Sequence, residues 1–439
     1  MSKEQPSVKA YEIEREPNEE HTNWESSILF LPQAIWVLLL LLAAGIWYSF
    51  VPLIMISVFL IFLFLIINAW KKLALKNIKP KMKFSKSRLF AEEQFEIIAS
   101  VCNDKWLPLV WLEWSFPRQS GVRVGDQDGE ASTVRLLWLL SFQEVEWILE
   151  AKALKRGVYD LGQITLRSGD GFRFAEQEVA YSLPGMLYVY PKLLPVAVSG
   201  LRLSKQWGVK GKQGGYIEDP LLVTGIREYQ AGDELRRVNW RASVRTGKLQ
   251  TNVYQPVVTE QLLVYVDVQG YVIDKQAFED HFKQKEYQRQ KIEAFERFLS
   301  FIASVAVKYQ EIGISLGFAT NAVDYRGEEM VGILPSSNLT LFLDQLAKIT
   351  QEVGSPKMKA LDTMMNKGKL TIPLAVFCYQ VTEQHYLWYQ QFKSKLTEVS
   401  FYYQKKSLFA EHFAGLAKAV DEFLPATACL GGEANYEAG

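Results

Sequence analysis

The fold is decided first by a stretch near the N-terminus, residues 28–69, which reads ILFLPQAIWVLLLLLAAGIWYSFVPLIMISVFLIFLFLIINA. No charged residue interrupts it, and it is much longer than the roughly 20 residues that one helix needs to cross a bilayer. Aromatic and turn-forming residues at 48–52 (YSFVP) separate the aliphatic tracts 37–46 and 53–67. The sequence therefore predicts a transmembrane helical hairpin over residues 28–70.

The orientation of this hairpin is predicted from the lysines that follow it. Six of them lie between positions 71 and 83, and short segments rich in lysine tend to stay in the cytoplasm. A cleaved signal peptide is the competing interpretation, but its apolar region would be shorter and would end in a small-residue cleavage site. We expect a multi-pass protein of the cell membrane, in contact with the lipid bilayer, whose N-terminal tail (residues 1–27), soluble domains and two termini are cytoplasmic.

Composition restricts the partners of the soluble part. The 49 basic residues balance the 49 acidic ones, so no global positive field draws the protein to nucleic acid. Cys102, Cys378 and Cys429 are far apart and form no CxxC pair, which argues against a disulfide framework or a zinc site. We predict no nucleic-acid partner, no cofactor and a reducing compartment.

Residues 84–200 show short apolar segments with turns between them. The alternation at 95–101, 109–114, 134–142 and 145–151 is typical of strands, and its spacing predicts a small β-sandwich domain. Residues 201–259 are predicted to be a linker followed by a charged segment. The glycines and lysines of residues 201–216 form no GxxxxGK[ST] motif, so we set a phosphate-binding loop aside.

After residue 259 the pattern changes to an alternation of strands and helices. Such alternation predicts a parallel sheet covered on both faces, over residues 260–425. Ligands of open sheets of this type gather at the carboxyl ends of the strands, where Asp267 stands. The predicted strands are 262–266, 312–319, 371–379 and 399–403, and the predicted helices are 287–309, 339–349, 383–395 and 410–423.

Two stretches resemble a known family. Residues 218–220 (EDP), 225–233 (GIREYQAGD) and 236–243 (RRVNWRAS), with the earlier 155–162 (KRGVYDLG), resemble the signature of the DUF58 family. This resemblance implies a bacterial or archaeal membrane protein whose β-sandwich precedes an α/β, Rossmann-like von Willebrand factor A-like domain. It also implies a gene beside a MoxR-type AAA+ ATPase and an accessory or adaptor role in protein assembly or remodelling at the cytoplasmic membrane. The resemblance does not imply an enzymatic activity, and we predict that the protein is not an enzyme.

The main alternative is a cytoplasm-facing metal-dependent or serine hydrolase. Von Willebrand factor A-like domains often bind magnesium through DxSxS after the first strand, but here the segment 267–271 reads DVQGY. Both hydroxyl ligands are missing, so we predict no metal at this degenerate site and expect Asp267 to cap the following turn. The GxSxG match at 313–317 lies inside a predicted strand instead of a strand-to-helix elbow, and the four histidines are scattered. A base positioned by the fold stays possible.

The charged segment is the candidate functional site, with two open interpretations. It can be a salt-bridge network that docks the two domains, with Trp240 as a buried wedge, or a partner-binding face of the arginine and aromatic types that anchor interfaces. Our hypothesis is mixed: Trp240 is structural, and at least one of Arg236, Arg237 and Arg245 is exposed for binding. The candidate residues are Arg227, Glu228, Tyr229, Gly232, Asp233, Arg236, Arg237, Asn239, Trp240, Arg241 and Arg245.

Overall fold

The chain divides into two compact units, Met1–Val189 and Tyr190–Gly439. The predicted tail (1–27) and linker loop (201–216), and Gly232 and Asp233 of the candidate site, lie outside the described residues. The computed structural model describes residues 34–117, 119–125, 134–170, 176–196, 218–230, 234–256, 261–274, 281–366, 372–396, 398–413 and 415–424.

Two apolar helices begin the described chain, α1 (Ala34–Trp47) and α2 (Val51–Ala74). A Cβ atom added to Gly45 would lie 3.1 Å from Cγ1 of Ile54, so the absence of a side chain lets the two helices approach closely. Among the described helices, α2 is the one that is long and apolar enough to cross a membrane, and α1 is shorter. A membrane crossing by both helices stays a prediction.

The rest of the first unit is β-rich. Its strands form an antiparallel sheet of order β1-β3-β7-β5, a second of order β10-β9-β4-β6, and a third of order β2-β11-β8. The strands are β1 (Ile78–Phe84), β2 (Arg88–Phe90), β3 (Gln94–Asn103), β4 (Leu109–Ser115), β5 (Val122–Val124), β6 (Val134–Leu139), β7 (Glu144–Ala153), β8 (Gly157–Asp160), β9 (Gln163–Gly169), β10 (Glu176–Ser182) and β11 (Met186–Tyr190).

The first two sheets pack face to face. Trp114 of β4 and Trp147 of β7 meet edge to face with ring centroids 5.1 Å apart, which joins the two sheets in one core. Burial alternates along the first half of β3, as expected for a strand with one face inside a sandwich. Ala74 and Leu75 lie in the same core, and Trp70 packs against it. The last turns of α2 are therefore part of the soluble unit.

The second unit contains an α/β body. Its sheet has the order β17-β15-β14-β19-β20-β21; β17 is antiparallel and the other neighbours are parallel. The elements of the unit are β12 (Glu218–Glu228), α3 (Trp240–Thr246), β13 (Gln250–Pro256), β14 (Gln261–Val266), α4 (His281–Glu311), β15 (Ser315–Thr320), β16 (Ala322–Asp324), β17 (Ile333–Ser336), α5 (Leu339–Lys348), β18 (Ile349–Val353), α6 (Lys359–Asn366), β19 (Leu374–Cys378), α7 (Glu383–Phe392), β20 (Val399–Tyr403) and β21 (Ala417–Ala419).

The predicted alternation of strands and helices is confirmed as far as residue 403, but the predicted helix over 410–423 is wrong. Two short 3-10 helices, Leu408–Phe413 and Val420–Phe423, stand there with β21 between them. Gly415 has a φ of 81°, which interrupts helical geometry, and Ala417 then pairs with Phe401. The backbone hydrogen bonds of a new parallel edge outweigh the helix propensity of this alanine-rich segment.

Candidate functional site

The charged segment folds as a hairpin with a short helix at its tip. β12 and β13 pair antiparallel, with Arg227 opposite Thr251. Asn239 caps α3 by accepting the Ala242 N–H at 3.0 Å, and its Nδ2 donates to Asn252 Oδ1 on β13 at 2.8 Å. These two bonds hold α3 in one position on the hairpin.

The other end of α3 is held in a similar way. Gly247, with a φ of 70°, ends the helix and donates its N–H to the Ser243 carbonyl. The Ser243 hydroxyl accepts the Gln250 N–H at 2.8 Å, at the start of β13. The face of α3 that packs against β13 therefore carries the small residue Ser243. The large side chains of α3 lie on its other faces.

Those large side chains form an exposed surface, which we call the α3 surface. Trp240 and Val244 are one turn apart on the helix and are 64% and 84% exposed, and Arg241 and Arg245 are exposed one position further on. Leu235, in the preceding 3-10 helix, is 67% exposed. Among the described residues, Arg241 and Arg245 form no ion pair. The α3 surface consists of Leu235, Trp240, Arg241, Val244 and Arg245.

The prediction that Trp240 is a buried wedge is wrong. Among the described residues of the hairpin and its tip, the buried ones are instead Val238, Ser243, Gln250 and Thr251. A seven-residue helix has room for one small buried face, which Ser243 fills, and Trp240 lies outside it.

Three ion pairs described in this segment join residues that are close together on the hairpin. Arg236 and Arg237 contact Glu234 at 2.6 Å and 3.3 Å, and Lys248 contacts Glu228 at 3.0 Å. The hydrogen bonds from Arg236 and Arg237 lower the pKa of Glu234. Because these side chains are exposed, such pairs contribute little to stability. Tyr229 joins the hairpin through its backbone N–H, which donates to the Leu249 carbonyl at 2.9 Å.

A second polar cluster lies at the carboxyl ends of three parallel strands. Asp267 follows β14, and Asn321 follows β15. The Oδ1 atom of Asp267 accepts two hydrogen bonds, from the Gln269 N–H at 3.0 Å and from Asn321 Nδ2 at 2.7 Å. Asn321 Oδ1 in turn accepts the Val268 N–H at 3.0 Å. The prediction that Asp267 caps the following turn is confirmed, and the carboxylate is also clamped between neighbouring strands.

The other oxygen of Asp267 faces two basic groups that come from distant segments. Its Oδ2 lies 3.5 Å from Lys357 Nζ and 3.3 Å from His385 Nε2. The Thr382 N–H donates to His385 Nδ1 at 3.1 Å, so Nδ1 is an acceptor and the ring proton sits on Nε2, facing Asp267. That Nε2 has no well-formed hydrogen bond, so its contact with Oδ2 is mainly electrostatic. We call Asp267, Asn321, Lys357, Thr382 and His385 the Asp267 cluster.

Asp267 is ionised within this cluster. Burial alone would raise its pKa, but the Nε2–H of His385, the Lys357 ammonium and the Gln269 N–H together outweigh burial and lower the pKa to about 2. Lys357 also donates to the Thr382 hydroxyl at 3.2 Å. The carboxylate is thus matched by an internal cation.

This arrangement leaves little for a metal ion to bind. Among the described residues, no three His, Cys, Asp or Glu side chains are grouped as metal ligands. Gln269 lies in a 3-10 turn, and the buried Tyr271 donates its hydroxyl to Gln404 Oε1 at 2.6 Å. The Lys357 ammonium already neutralises the one carboxylate.

We therefore expect calorimetric titration of the full chain with magnesium or manganese to give no saturable binding below millimolar concentration. Tight binding to the native state would also raise stability, by about 2.7 kcal/mol at a hundredfold excess over Kd. Micromolar affinity that disappears in Asp267→Ala would show that the cluster is a metal site.

The GxSxG segment does not form a nucleophile elbow. Ser315 is the first residue of β15, follows helix α4 in the chain and is buried. An elbow needs the opposite order, a strand that leads into a helix at the serine. His385 belongs to the Asp267 cluster, and His412 lies against the ring of Tyr386 with centroids 5.7 Å apart.

Sequence reasoning found Asp267 but missed Asn321, Lys357, Thr382 and His385. Each of these residues lies shortly after a strand or near the start of a helix, and this position is the feature of the sequence that could have marked them as candidates. The pairing with Asp267 was not visible because it depends on the strand order.

The structure defines the chain as a β-rich multidomain protein with an α/β second unit, and the comparisons add little to this class. No family model matches the chain. It is similar to the uncharacterized protein YeaD of Bacillus subtilis (strain 168), with 21% identity over 308 residues, 68% of this chain and 72% of that protein.

The similar solved structures are distant. The CARDB domain of the PF1109 protein from Pyrococcus furiosus shares 10% identity over 26% of this chain and 92% of that chain, with a TM-score of 0.18. The C-terminal domain of wzt shares 11% identity over 32% of this chain and 84% of that chain, with a TM-score of 0.18. Such scores carry no argument about function.

Proposed function

We propose that this chain is a membrane-anchored accessory or adaptor protein that acts with a MoxR-type AAA+ ATPase in protein assembly or remodelling at the cytoplasmic membrane. The observation that carries the proposal is the α3 surface. Trp240, Val244 and two arginines without ion pairs among the described residues are displayed on a helix that is fixed at both ends. Arginine and tryptophan are the residue types enriched at interface hot spots, and a rigid display reduces the entropy lost on binding.

The identity of the partner and of the domains rests on the resemblance to the DUF58 family. In this proposal α1 and α2 form the transmembrane hairpin, and the α/β body is a von Willebrand factor A-like domain whose metal site is degenerate. The Lys357 ammonium beside Asp267 supports a metal-independent binding role, because it supplies the charge that a magnesium ion would bring. The proposed function contains no catalytic step.

The proposal is tested by binding between the purified full chain and the MoxR-type ATPase encoded in the same genome. We expect saturable binding by calorimetry or by pull-down, and competition by a synthetic peptide that reproduces the α3 hairpin. A complete absence of binding to that ATPase, with nucleotide present and absent, would contradict the proposed partner.

The topology is tested separately with reporter fusions at Ser2 and Gly439. We expect both fusions to report a cytoplasmic location, because the lysines that follow α2 hold its C-terminal end inside. An extracellular signal from the fusion at Gly439 would overturn the orientation.

A further inference from the structure

One end of the sandwich lies beside the C-terminal end of α2. The register places Ile78, just after α2, opposite Asn103, and Cys102 opposite Glu144. Leu109 pairs with Leu139 in the other sheet. The β3–β4 loop (104–108) and the β6–β7 loop (140–143) therefore emerge at the end of the sandwich that α2 enters.

Hydrogen bonds attach these two loops to the helix and to each other. Lys105 Nζ donates to the Ala74 carbonyl and, at 2.9 Å, to the Lys76 carbonyl, which closes the end of α2. The Phe142 N–H donates to the Lys105 carbonyl at 3.3 Å, and the Ser141 hydroxyl donates to the Trp106 carbonyl. The two loops and the helix end form one connected structure.

This structure displays large apolar side chains to its surroundings. Trp106 is 80% exposed, Trp138 75%, Leu140 65% and Phe142 67%. Phe142 also has a φ of 55°, a conformation that bulky residues rarely adopt. Exposed apolar clusters of this kind mark interaction sites. We call these four residues the α2-end patch.

The level of the patch along α2 follows from the packing of the helix. The sandwich core already contacts Trp70, and Ala74 lies about 6 Å further along the helix at 1.5 Å per residue. The headgroup layer on each side of a bilayer is about 5–7 Å thick. With the apolar part of α2 in the hydrocarbon core, this end of the sandwich lies at headgroup level.

Charge and residue type agree with that level. Lys72 and Lys76 are exposed around the end of α2, where they can attract anionic headgroups. Tryptophan is the residue enriched at membrane–water interfaces, because its ring is amphipathic. The observed set of two tryptophans, a leucine and a phenylalanine beside lysines is the chemistry of a lipid contact.

We infer that the α2-end patch is inserted in the cytoplasmic headgroup layer and holds the sandwich directly against the lipid surface. This inference rests on the proposed membrane anchoring by α2. It adds a second membrane contact, made by loops of the soluble unit, and this contact fixes the orientation of the sandwich relative to the bilayer.

The test uses a photo-reactive benzophenone side chain introduced singly at positions 106, 142, 136 and 59 of the full chain in its native membrane. Leu136 is the matched control because it is 61% exposed on the same strand as Trp138, about 13 Å from Leu140. Phe59 is 62% exposed in the middle of α2 and reports membrane insertion itself. Mass spectrometry separates lipid adducts from protein adducts.

We expect lipid adducts at positions 59, 106 and 142, several-fold more abundant than at position 136. Lipid adducts at position 59 with none at 106 and 142 would leave the anchor in place and overturn the patch. Protein adducts at 106 and 142 would also overturn it, in favour of a protein partner. No lipid adduct at position 59 would overturn the membrane anchor, and the inference with it.

Discussion

Asp267→Ala is expected to destabilise the second unit by about 3–5 kcal/mol, because it leaves the Lys357 ammonium buried without its counter-charge. Lys357 is 9% exposed and His385 is fully buried, so bulk solvent solvates the ammonium poorly once the carboxylate is removed. The variant also leaves the Gln269 and Asn321 donors without their acceptor. Chemical denaturation of the full chain, monitored on the transition of the second unit, measures the loss.

A double-mutant cycle distinguishes charge from shape in this cluster. Asp267→Asn retains the volume and an oxygen for the two donors but removes the charge, and Lys357→Met removes the ammonium at similar size. We expect Asp267→Asn alone to be strongly destabilising. The double variant Asp267→Asn/Lys357→Met should be more stable than Asp267→Asn. If Asp267→Asn is as stable as the parent while Lys357 is present, the ion pair has no energetic role.

The same group predicts a dependence of stability on pH. The folded-state pKa of Asp267 is about 2, below its ordinary value of 3.8, so the unfolded chain binds this proton more readily. The contribution to stability, about 2 kcal/mol, is fully present above pH ~4 and is lost as the pH falls towards ~2. Denaturation curves between these pH values should show this loss in the parent and not in Asp267→Asn. If Asp267→Asn loses the same amount of stability over this pH range, the loss in the parent protein comes from other carboxylates.

Local sequence patterns predicted most of the strands and helices. They predicted the Asp267 cluster only in part. Residues 262–266 are uniformly apolar, which is typical of a buried parallel strand, and the polar residue that follows was correctly expected at the strand end. His385 reaches Asp267 because β19, which leads into α7, lies beside β14. Lys357 reaches it because the neighbouring Met358 N–H donates to the hydroxyl of Tyr265 on β14, at 2.9 Å. That adjacency is a tertiary fact, and no spacing in the sequence encodes it.

The two surfaces show a different limit of sequence reasoning. A tryptophan among arginines is compatible with a buried interdomain contact and with an exposed binding surface. Trp240 is exposed because α3 buries only a small face, which Ser243 occupies. Residues 136–140 (LLWLL) are all apolar. A strand with one solvent-exposed face would instead alternate apolar and polar residues. That run was the available signal of the α2-end patch, and it was read only as a strand.

Trp240→Ala is expected to weaken association with the proposed ATPase by about 2 kcal/mol or more, roughly a thirtyfold loss of affinity, with little change in the melting temperature. The physical reason is its position: 64% of the side chain is exposed, so truncation removes contact area from a partner and not from the core. Val244→Ala and Arg241→Ala should produce smaller losses, and the arginine variant should weaken the salt dependence of binding.

The matched control is Leu408→Ala in the 3-10 helix Leu408–Phe413, an apolar residue that is 82% exposed and lies outside the hairpin. It should leave both binding and melting unchanged. Asn239→Ala separates positioning from contact, because it removes the cap of α3 and the bond to Asn252, at a cost of about 1 kcal/mol for the cap alone. We expect it to lower affinity together with hydrogen-exchange protection of α3, whereas Trp240→Ala lowers affinity alone. If Trp240→Ala, Val244→Ala and Arg241→Ala all bind as well as the parent, the α3 surface is not the binding surface.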